Sequence, residues 1–308
     1  MTYSILGLDP AAGQIGVAVQ SHFFAVGSRT VRARAGVGVV ATQSVVEPSY
    51  GPRGLDLLAR GVGPREALAE LLARDPRAST RQVAVLGVDG EGATHTGRDC
   101  IGFAGDAVSE HARAQANLVA SPAVPAAMTD AFERAAGSVA ERLVAALRAA
   151  EDCGGDLRGQ QAAALVVVRT EPTGRAYEDV VVDLRVDDAP RPLDELERLL
   201  VRSSALHGLV ALLETEGLLV GEPTASVESV AEALAELHRA EILAGPGNGE
   251  PAVWRGLLLA RVGRTEEARA CFARARPSVP HIEELLDRLA AAGMWTLEPA
   301  ELRNLLAG

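Results

Sequence analysis

Thr2, the second residue of the chain, offers the first chemistry in the sequence. Removal of the initiator methionine is permitted before a small residue, and it would give Thr2 a free α-amino group. Such a residue carries a hydroxyl nucleophile together with an amine of pKa about 8 that can take the hydroxyl proton. An ordinary first residue of a strand is the alternative. The run "YSILGL" directly after Thr2 favours the first interpretation, because a sheet would hold the amine in place.

The chain contains no lysine, and all 30 of its basic residues are arginine. A GC-rich coding bias explains this composition in the simplest way. The chemical consequence is that no side-chain amine can act as a Schiff base, a general base or a phosphate ligand. An α-amino group is then the only amine available for catalysis.

Four further stretches carry polar side chains that could form a site: "QSHFFAVGS", "SVVEPSYGPRG", "THTGRDC" and "GGDLRGQQ". The second lies between a buried strand and a helix, and loops at such junctions often carry sites. Each has a plain alternative, namely a buried structural histidine, solvated loop residues, or an Asp–Arg pair that satisfies itself. We predict the catalytic residues to be Thr2, His22 and Glu47. We predict the substrate-binding residues to be Ser21, Ser49, Tyr50, Arg53, His95, Asn117, Asp156 and Arg158.

The sequence predicts no metal and no cofactor. Cys100, Cys153 and Cys271 lie too far apart for a disulfide framework or a zinc-ligand pattern. Nucleophile-elbow, Walker, Rossmann and H-E-x-x-H motifs are absent. A metal-dependent hydrolase that uses His22, His95 and Glu47 is an alternative, although no helical spacing supports it.

The elements that must position these residues form antiparallel hairpins. Short apolar runs separated by Pro/Gly turns cover residues 3–20, and strand character returns at 37–43, 81–89 and 163–187. Helical spacing covers residues 51–74 and 125–150. This order is not the strict alternation of a parallel sheet. We predict an α+β fold, a four-layer αββα sandwich with mostly antiparallel sheets, followed by an all-α C-terminal region.

Three segments are predicted: a sandwich domain over residues 1–189, connecting helices over 190–245, and a helical hairpin with a cap over 246–308. In the last segment Gly256, Gly263, Ala268, Phe272 and Ala275, followed by Pro280, match the spacing of a tetratricopeptide repeat. A generic helix pair is the alternative. We expect this tail to pack on the main domain, or to mediate association with a second copy or a protein partner.

Charge and composition exclude several classes of partner. A net charge of -11 and an aromatic content of 3% disfavour nucleic acid and anionic membranes, which attract basic and aromatic surfaces. The sequence shows neither a signal peptide nor an apolar run of membrane-spanning length. We therefore predict a cytoplasmic protein that binds neither nucleic acid nor a membrane.

Five blocks of the sequence resemble one bacterial family, the domain of unknown function numbered one thousand and twenty-eight. They are "TYSILGLDPAAGQIGVAVQSHFFAVGS", "GVVATQSVVEPSYGPRGLDLL", "HTGRDC", "QANLVAS" and "GGDLRGQQAAALVV". The resemblance implies an N-terminal-nucleophile (Ntn) hydrolase-like fold with Thr2 as the nucleophile. Proteasome-like members also use a lysine. His22 is a candidate to replace it, and Ala162 stands where the family often has serine.

The preferred function is an Ntn amidohydrolase that cleaves a small amide or peptide-like bond. Backbone N–H groups near Ser44 to Glu47 would then form its oxyanion hole. The alternative is a catalytically degenerate Ntn-like scaffold that binds a ligand, or a protein partner through its helical tail. The missing lysine and Ala162 favour that alternative.

Overall fold

The computed structural model describes residues 2–294 and 304–306. The chain divides into two compact units, Met1–Leu200 and Val201–Gly308, called here the first and second unit. Every predicted site residue lies in the first unit.

The first unit contains two antiparallel sheets. Sheet A has the strand order β10-β9-β2-β1-β8-β7, and sheet B has the order β3-β4-β5-β6. The strands are β1 (Thr2–Asp9), β2 (Gln14–Ser21), β3 (Val31–Arg34), β4 (Gly38–Ser44), β5 (Arg81–Gly87), β6 (Gly92–Thr96), β7 (Gly105–Val108), β8 (Ala112–Asn117), β9 (Ala162–Arg169) and β10 (Val180–Val186). The central position of β1, between β2 and β8, places Thr2 well inside sheet A.

The alternation of side chains along β1 assigns each residue to one face of sheet A. Leu6 and Leu8 pack toward sheet B, whereas Tyr3 and Ile5 pack toward helices on the other face. Thr2 belongs to the same face as Leu6 by this period of two. Its side chain therefore lies at the interface between the two sheets.

Helices cover the outer face of each sheet. The helices of the first unit are α1 (Gly27–Thr30), α2 (Tyr50–Ala59), α3 (Pro64–Ala73), α4 (Val124–Arg134) and α5 (Val139–Asp152), and α6 begins at Pro192. α4 and α5 share a core with sheet A, and α2 and α3 share one with sheet B. The layers therefore run helix, sheet, sheet, helix. The predicted α+β class, with antiparallel sheets followed by a helical C-terminal region, is confirmed.

Two local features differ from the sequence-based prediction. The stretch predicted as helical over residues 125–150 forms two helices, because Gly137 adopts a left-handed φ of 101° and Ser138 caps α5. Ser138 and Glu141 form a reciprocal capping box there. Strands β7 and β8 also lie where the sequence analysis proposed no strand.

The second unit is helical. It holds the end of α6 (Pro192–Leu213), then α7 (Val227–Ala244), α8 (Glu250–Arg261), α9 (Thr265–Ala275) and α10 (Ile282–Ala291). α8 and α9 approach closely at Gly256, where an added Cβ would lie 2.7 Å from the ring of Phe272. Within residues 2–294 and 304–306, no helix has the length and apolar character needed to cross a membrane.

Candidate active site

The candidate site lies at one edge of the sandwich, where strand ends from both sheets meet. β1 begins at Thr2 opposite Asn117, the last residue of β8, and β2 ends at Ser21. In sheet B, β4 ends at Ser44 opposite Arg81, the first residue of β5. We call this the Thr2 edge, defined by these five residues. Antiparallel pairing places these residues at one end of each sheet, and the hydrogen bond from Gln43 to the Thr2 carbonyl oxygen joins the two ends.

Thr2 is held on both its side chain and its backbone. It is only 7% exposed, and its Oγ1 lies 3.0 Å from Ser21 Oγ. Its carbonyl oxygen accepts hydrogen bonds from Gln43 Nε2 at 3.0 Å and from Asn117 Nδ2 at 3.4 Å. These contacts fix the orientation of the hydroxyl group at the end of a central strand.

Buried amides between the sheets support this arrangement. Gln82 Oε1 accepts from Gln43 Nε2 at 2.8 Å and from Asn117 Nδ2 at 3.0 Å. Gln82 Nε2 donates in turn to the carbonyl oxygens of Ala116 and Gly105. Gln43 and Gln82 are each at most 1% exposed. Because these buried amides form hydrogen bonds with one another and with the backbone, they hold the site rigidly.

Sequence reasoning missed Gln43 and Gln82. A signal was present, because each amide stands in an apolar strand at a position that alternation assigns to the buried face. A buried glutamine needs partners, so two of them at inward positions indicate a shared network. Asn117 was identified, and it belongs to that network.

Beside Ser21 lies an Asp–Arg pair in the loop after α5. Arg158 Nη2 donates to Ser21 Oγ at 3.4 Å and to Asp156 Oδ2 at 3.2 Å. The Asp156 carboxylate is fully buried and also accepts from the backbone N–H groups of His22 and Arg158. The predicted residues Thr2, Ser21, Asp156 and Arg158 are therefore brought together.

The His22 side chain contacts a different segment of the chain from the Thr2 hydroxyl. The ring is exposed, and its Nδ1 lies 3.3 Å from the carbonyl oxygen of Gln160. Arg158, in contrast, contacts Ser21 Oγ directly through its guanidinium. A role for His22 in place of a lysine stays a prediction.

A second polar cluster surrounds Arg81. Its Nε donates to Asp75 at 2.7 Å and its Nη1 to the carbonyl oxygen of Val45 at 2.6 Å. Tyr50 also donates to Asp75, and Glu47 lies 3.7 Å from Arg81. The Arg81 and Tyr50 hydrogen bonds hold the pKa of Asp75 at about 2, while burial and Asp75 raise the pKa of Tyr50.

Glu47, Ser49 and Tyr50 therefore sit in an ion-pair network that anchors the loop before α2. Ser49 donates its backbone N–H to Glu47 at 3.2 Å, and hydrogen bonding from Ser49 lowers the pKa of Glu47. The hydrogen bonds and ion pairs of this network are made with Asp75 and Arg81. A catalytic role for Glu47 stays a prediction.

Two other predicted residues lie outside both clusters. Arg53 is exposed in the first turn of α2, and across the described ranges its side chain makes no hydrogen bond or ion pair. His95 pairs with Val83 in sheet B, and its Nε2 lies 3.0 Å from the carbonyl oxygen of Ala78. Its neighbours Thr94 and Thr96 bond to Asp106 instead.

Backbone strain is concentrated at the same edge. Three non-glycine residues in the described chain adopt a left-handed φ: Ala25 at 51°, Ser44 at 68° and Leu118 at 55°. Ser44 is the last residue of β4, Leu118 directly follows β8, and Ala25 lies four residues after the end of β2. Such conformations cost free energy and cluster at functional sites.

Metal binding is not indicated by the geometry. In the part of the chain that the structure describes, no three His, Cys, Asp or Glu side chains stand close enough together to hold an ion.

A comparison with models of protein families shows which family the chain belongs to. The model described as "Family of unknown function (DUF1028)" matches residues 2–196. The chain belongs to this family. The DUF1028 match ends inside α6, so it covers the two sheets and their helices and leaves out the second unit entirely.

A solved DUF1028 structure has the same fold. Protein SPO2555 from Silicibacter pomeroyi is 30% identical, with a TM-score of 0.60, and the alignment covers 66% of this chain and 86% of that one. No protein of curated function matches the chain. The DUF1028 relationship therefore brings a fold and no named reaction.

Proposed function

We propose that this protein is an amidohydrolase in which Thr2, freed of Met1, is an N-terminal nucleophile. The observation that carries the proposal is the position of Thr2. It is the first residue of central strand β1, and its hydroxyl is bonded to Ser21 in a polar, strained edge of the sandwich. The layer order helix–sheet–sheet–helix fits an Ntn-type hydrolase.

The reaction needs only Thr2 and one water. Oγ1 attacks the amide carbonyl carbon while its proton passes to the α-amino group. The amine gives that proton to the leaving nitrogen as the C–N bond breaks, which leaves an ester on Thr2. Water then attacks the ester with the same amine as base, and the acid is released with Oγ1 reprotonated.

Arg158 supplies the positive charge that a lysine supplies in proteasome-like members. Its guanidinium lies at Ser21, which in turn contacts Thr2 Oγ1. A cation near an amine disfavours the protonated form and so lowers the pKa of that amine. A neutral amine is the form that can accept the hydroxyl proton. Asp156 holds the guanidinium in place.

Stabilisation of the oxyanion is assigned to the segment after β4. The N–H of Val45 donates to the carbonyl oxygen of Thr80 at 3.3 Å, so the proposed donors are the N–H groups of Val46 and Glu47. Arg81 anchors this segment through the carbonyl oxygens of Val45 and Val46. Donors held in this way need no reorganisation during the reaction.

Turnover of a panel of simple amides by three forms of the protein tests the proposal. Thr2→Ala removes the nucleophile while keeping a small second residue, and activity should fall at least about a thousandfold. Thr2→Ser keeps a hydroxyl and is the matched control that retains measurable turnover. Equal rates for Thr2→Ala and the unsubstituted protein would exclude Thr2 as nucleophile. No turnover by protein whose Met1 is shown to be removed would favour the degenerate scaffold.

A further inference from the structure

Loops that are linked in series by hydrogen bonds lie at the Thr2 edge, and we call them the ring. The segment after β8 lies at its centre, where the N–H of Leu118 donates to Ile101 O at 2.8 Å and the N–H of Val119 donates to Phe103 O at 3.4 Å. The same segment pairs with the loop after α5 through the bridge between Val119 and Asp156. Asp156 then accepts from the N–H of His22, in the loop after β2.

The other half of the ring runs through sheet B. The Arg81 carbonyl oxygen accepts from the N–H of Gly97 at 2.9 Å and from Cys100 Sγ at 3.3 Å. The Arg81 side chain bonds to Val45 O, in the loop after β4. Loops 22–24, 45–46, 97–103, 118–120 and 154–158 are thus linked to one another. They adjoin the strand ends of the Thr2 edge, so a substrate bound at the Thr2 hydroxyl would lie next to them.

Large apolar side chains of these loops face solvent. Nine large apolar side chains are exposed among described residues of the first unit, and six of the nine belong to the ring. Phe24, Ile101 and Leu157 are each more than 60% exposed. We call the six the apolar rim: Phe23, Phe24, Val45, Ile101, Phe103 and Leu157.

This concentration is unusual for the composition of the chain. Only 5 phenylalanines occur in 308 residues, and three of them stand in the rim. Exposed apolar residues that are concentrated in one region of the surface mark an interaction site, whereas scattered ones need no explanation. The other three exposed residues, Val108, Tyr177 and Val180, belong to other loops and strands.

The arginine and aspartate side chains of the ring lie in ion pairs. Arg98 lies 3.8 Å from Asp99, and Arg158 lies 3.2 Å from Asp156. The ring therefore offers little net charge for selecting an ionic ligand, although the whole chain carries -11. The chemistry of these loops therefore favours recognition by apolar contact.

We propose that the apolar rim binds a hydrophobic group attached directly to the scissile amide, so that the substrate class is a hydrophobic amide and not a small polar one. This inference rests on the proposed function and names the substrate class of the same site. The amide itself reaches Thr2, and its alkyl or aryl group stays between the loops against Phe23, Phe103 and their neighbours.

Two matched series of amides test the inference. Primary amides from acetamide to hexanamide extend the acyl side, and N-alkyl acetamides from methyl to pentyl extend the amine side. The value of kcat/KM should rise along one series, by up to about fourfold for each methylene group that is fully buried. A flat or falling value in both series, with acetamide still hydrolysed, would overturn this inference and leave the proposed function standing.

Variants locate the effect. Phe103→Ser should flatten the dependence of kcat/KM on chain length, because it removes apolar area from the rim. Val108→Ser is the matched control, since Val108 is 60% exposed and lies outside the rim. In the Val108→Ser protein, kcat/KM should depend on the chain length of the amide as it does in the unsubstituted protein. Equal loss in both variants would assign the effect to general destabilisation and would contradict the role of the rim.

A binding measurement separates the two proposals. Hexanamide and acetamide are titrated calorimetrically into the Thr2→Ala protein, which cannot form the ester. Tighter binding of hexanamide, weakened by Phe103→Ser, supports the rim even if no amide is turned over. Equal affinities would overturn it. A dimer seen by light scattering that Phe103→Ser dissociates, with no chain-length effect, would show that a second copy covers the rim and would also overturn it.

Discussion

At the scale of single residues, we propose that an arginine held by a carboxylate takes the place of the absent lysine. Arg158 contacts Ser21, and Ser21 contacts the Thr2 hydroxyl. A guanidinium stays charged at every accessible pH, so it cannot act as the base itself. On this account the base is the Thr2 amine, and Arg158 adjusts the pKa of that amine.

Removal of this charge should change the pH dependence of the reaction. In Arg158→Met the α-amino pKa rises, so the acid limb of kcat/KM against pH moves upward, by on the order of one unit. Arg158→Lys restores a cation and should move the limb back toward its original position. An unmoved limb in Arg158→Met, measured with any hydrolysed amide, would show that Arg158 does not act on the amine.

Asp75 gives a stability prediction with a defined pH window. Its folded pKa of about 2 lies below the ordinary value of 3.8, chiefly because Arg81 and Tyr50 donate to it. The stabilisation is therefore complete above about pH 4 and is lost as the pH falls through about 2. Asp75→Asn should lower the free energy of unfolding at neutral pH by at least about 2 kcal/mol.

The control for Asp75→Asn is Asp56→Asn, which removes an exposed ion pair with Arg34. Exposed pairs contribute little, so this variant should change the free energy of unfolding by less than about 1 kcal/mol. Denaturant titrations between pH 2 and pH 7 compare the two variants. An Asp75→Asn protein that keeps the full pH slope would contradict the assignment.

At the scale of elements, the sequence predicts the apolar strands and fails for the alanine-rich ones. β1, β2, β5 and β9 read as strands because their apolar runs lie between Pro/Gly turns. β8, "ARAQAN", consists of residues with weak strand preference. It is a strand because β1 and β7 pair with it on both sides. Only tertiary structure supplies those partners, so the sequence could not show how Asn117 reaches Thr2.

The amide network at this interface should contribute measurably to stability. Gln82→Leu removes the acceptor that the amides of Gln43 and Asn117 share, and it removes the donor to the carbonyl oxygens of Gly105 and Ala116. Each buried hydrogen bond contributes roughly 0.5–1.5 kcal/mol, so the variant should lose about 3 kcal/mol in a urea titration. Gln161→Leu is the control, because the Gln161 side chain bonds to exposed Asp188 and the loss of this bond should be nearly neutral.

A Gln82→Leu protein as stable as the original would show that water or relaxation satisfies those amides. If stability falls while the amide turnover of the folded protein is unchanged, the network supports the fold without positioning Thr2. We expect both to fall, since Gln43 bonds directly to the Thr2 carbonyl oxygen.

At the scale of the whole molecule, the two units have separate cores. Among the described residues, the apolar clusters of the first unit contain none beyond 200, and those of the second contain none before 205. The sequence changes from strand-like to helical patterns near residue 190, and the three segments predicted from it stay a prediction. The tetratricopeptide-like character of the tail and its role in association stay predictions.

Separate cores predict separate responses to substitution. Phe272 is 1% exposed between α8 and α9, and Phe272→Ala should cost about 3–5 kcal/mol in the second unit. Hydrogen exchange should accelerate in α8 and α9 while β1 and β9 keep their protection. Leu147→Ala, in the core of the first unit, should give the reverse pattern. Loss of protection in both units from either variant would mean that they unfold as one.

The central claim is that Thr2 bears the acyl group during turnover. Its most direct test is mass spectrometry of the N-terminal peptide after the protein is mixed with a hydrolysed amide and quenched in acid. We expect a peptide that begins at Thr2 and carries one acyl group on that residue, and we expect no such adduct in the Thr2→Ala protein. Active protein that retains Met1, or an acyl group found on another residue, would contradict it.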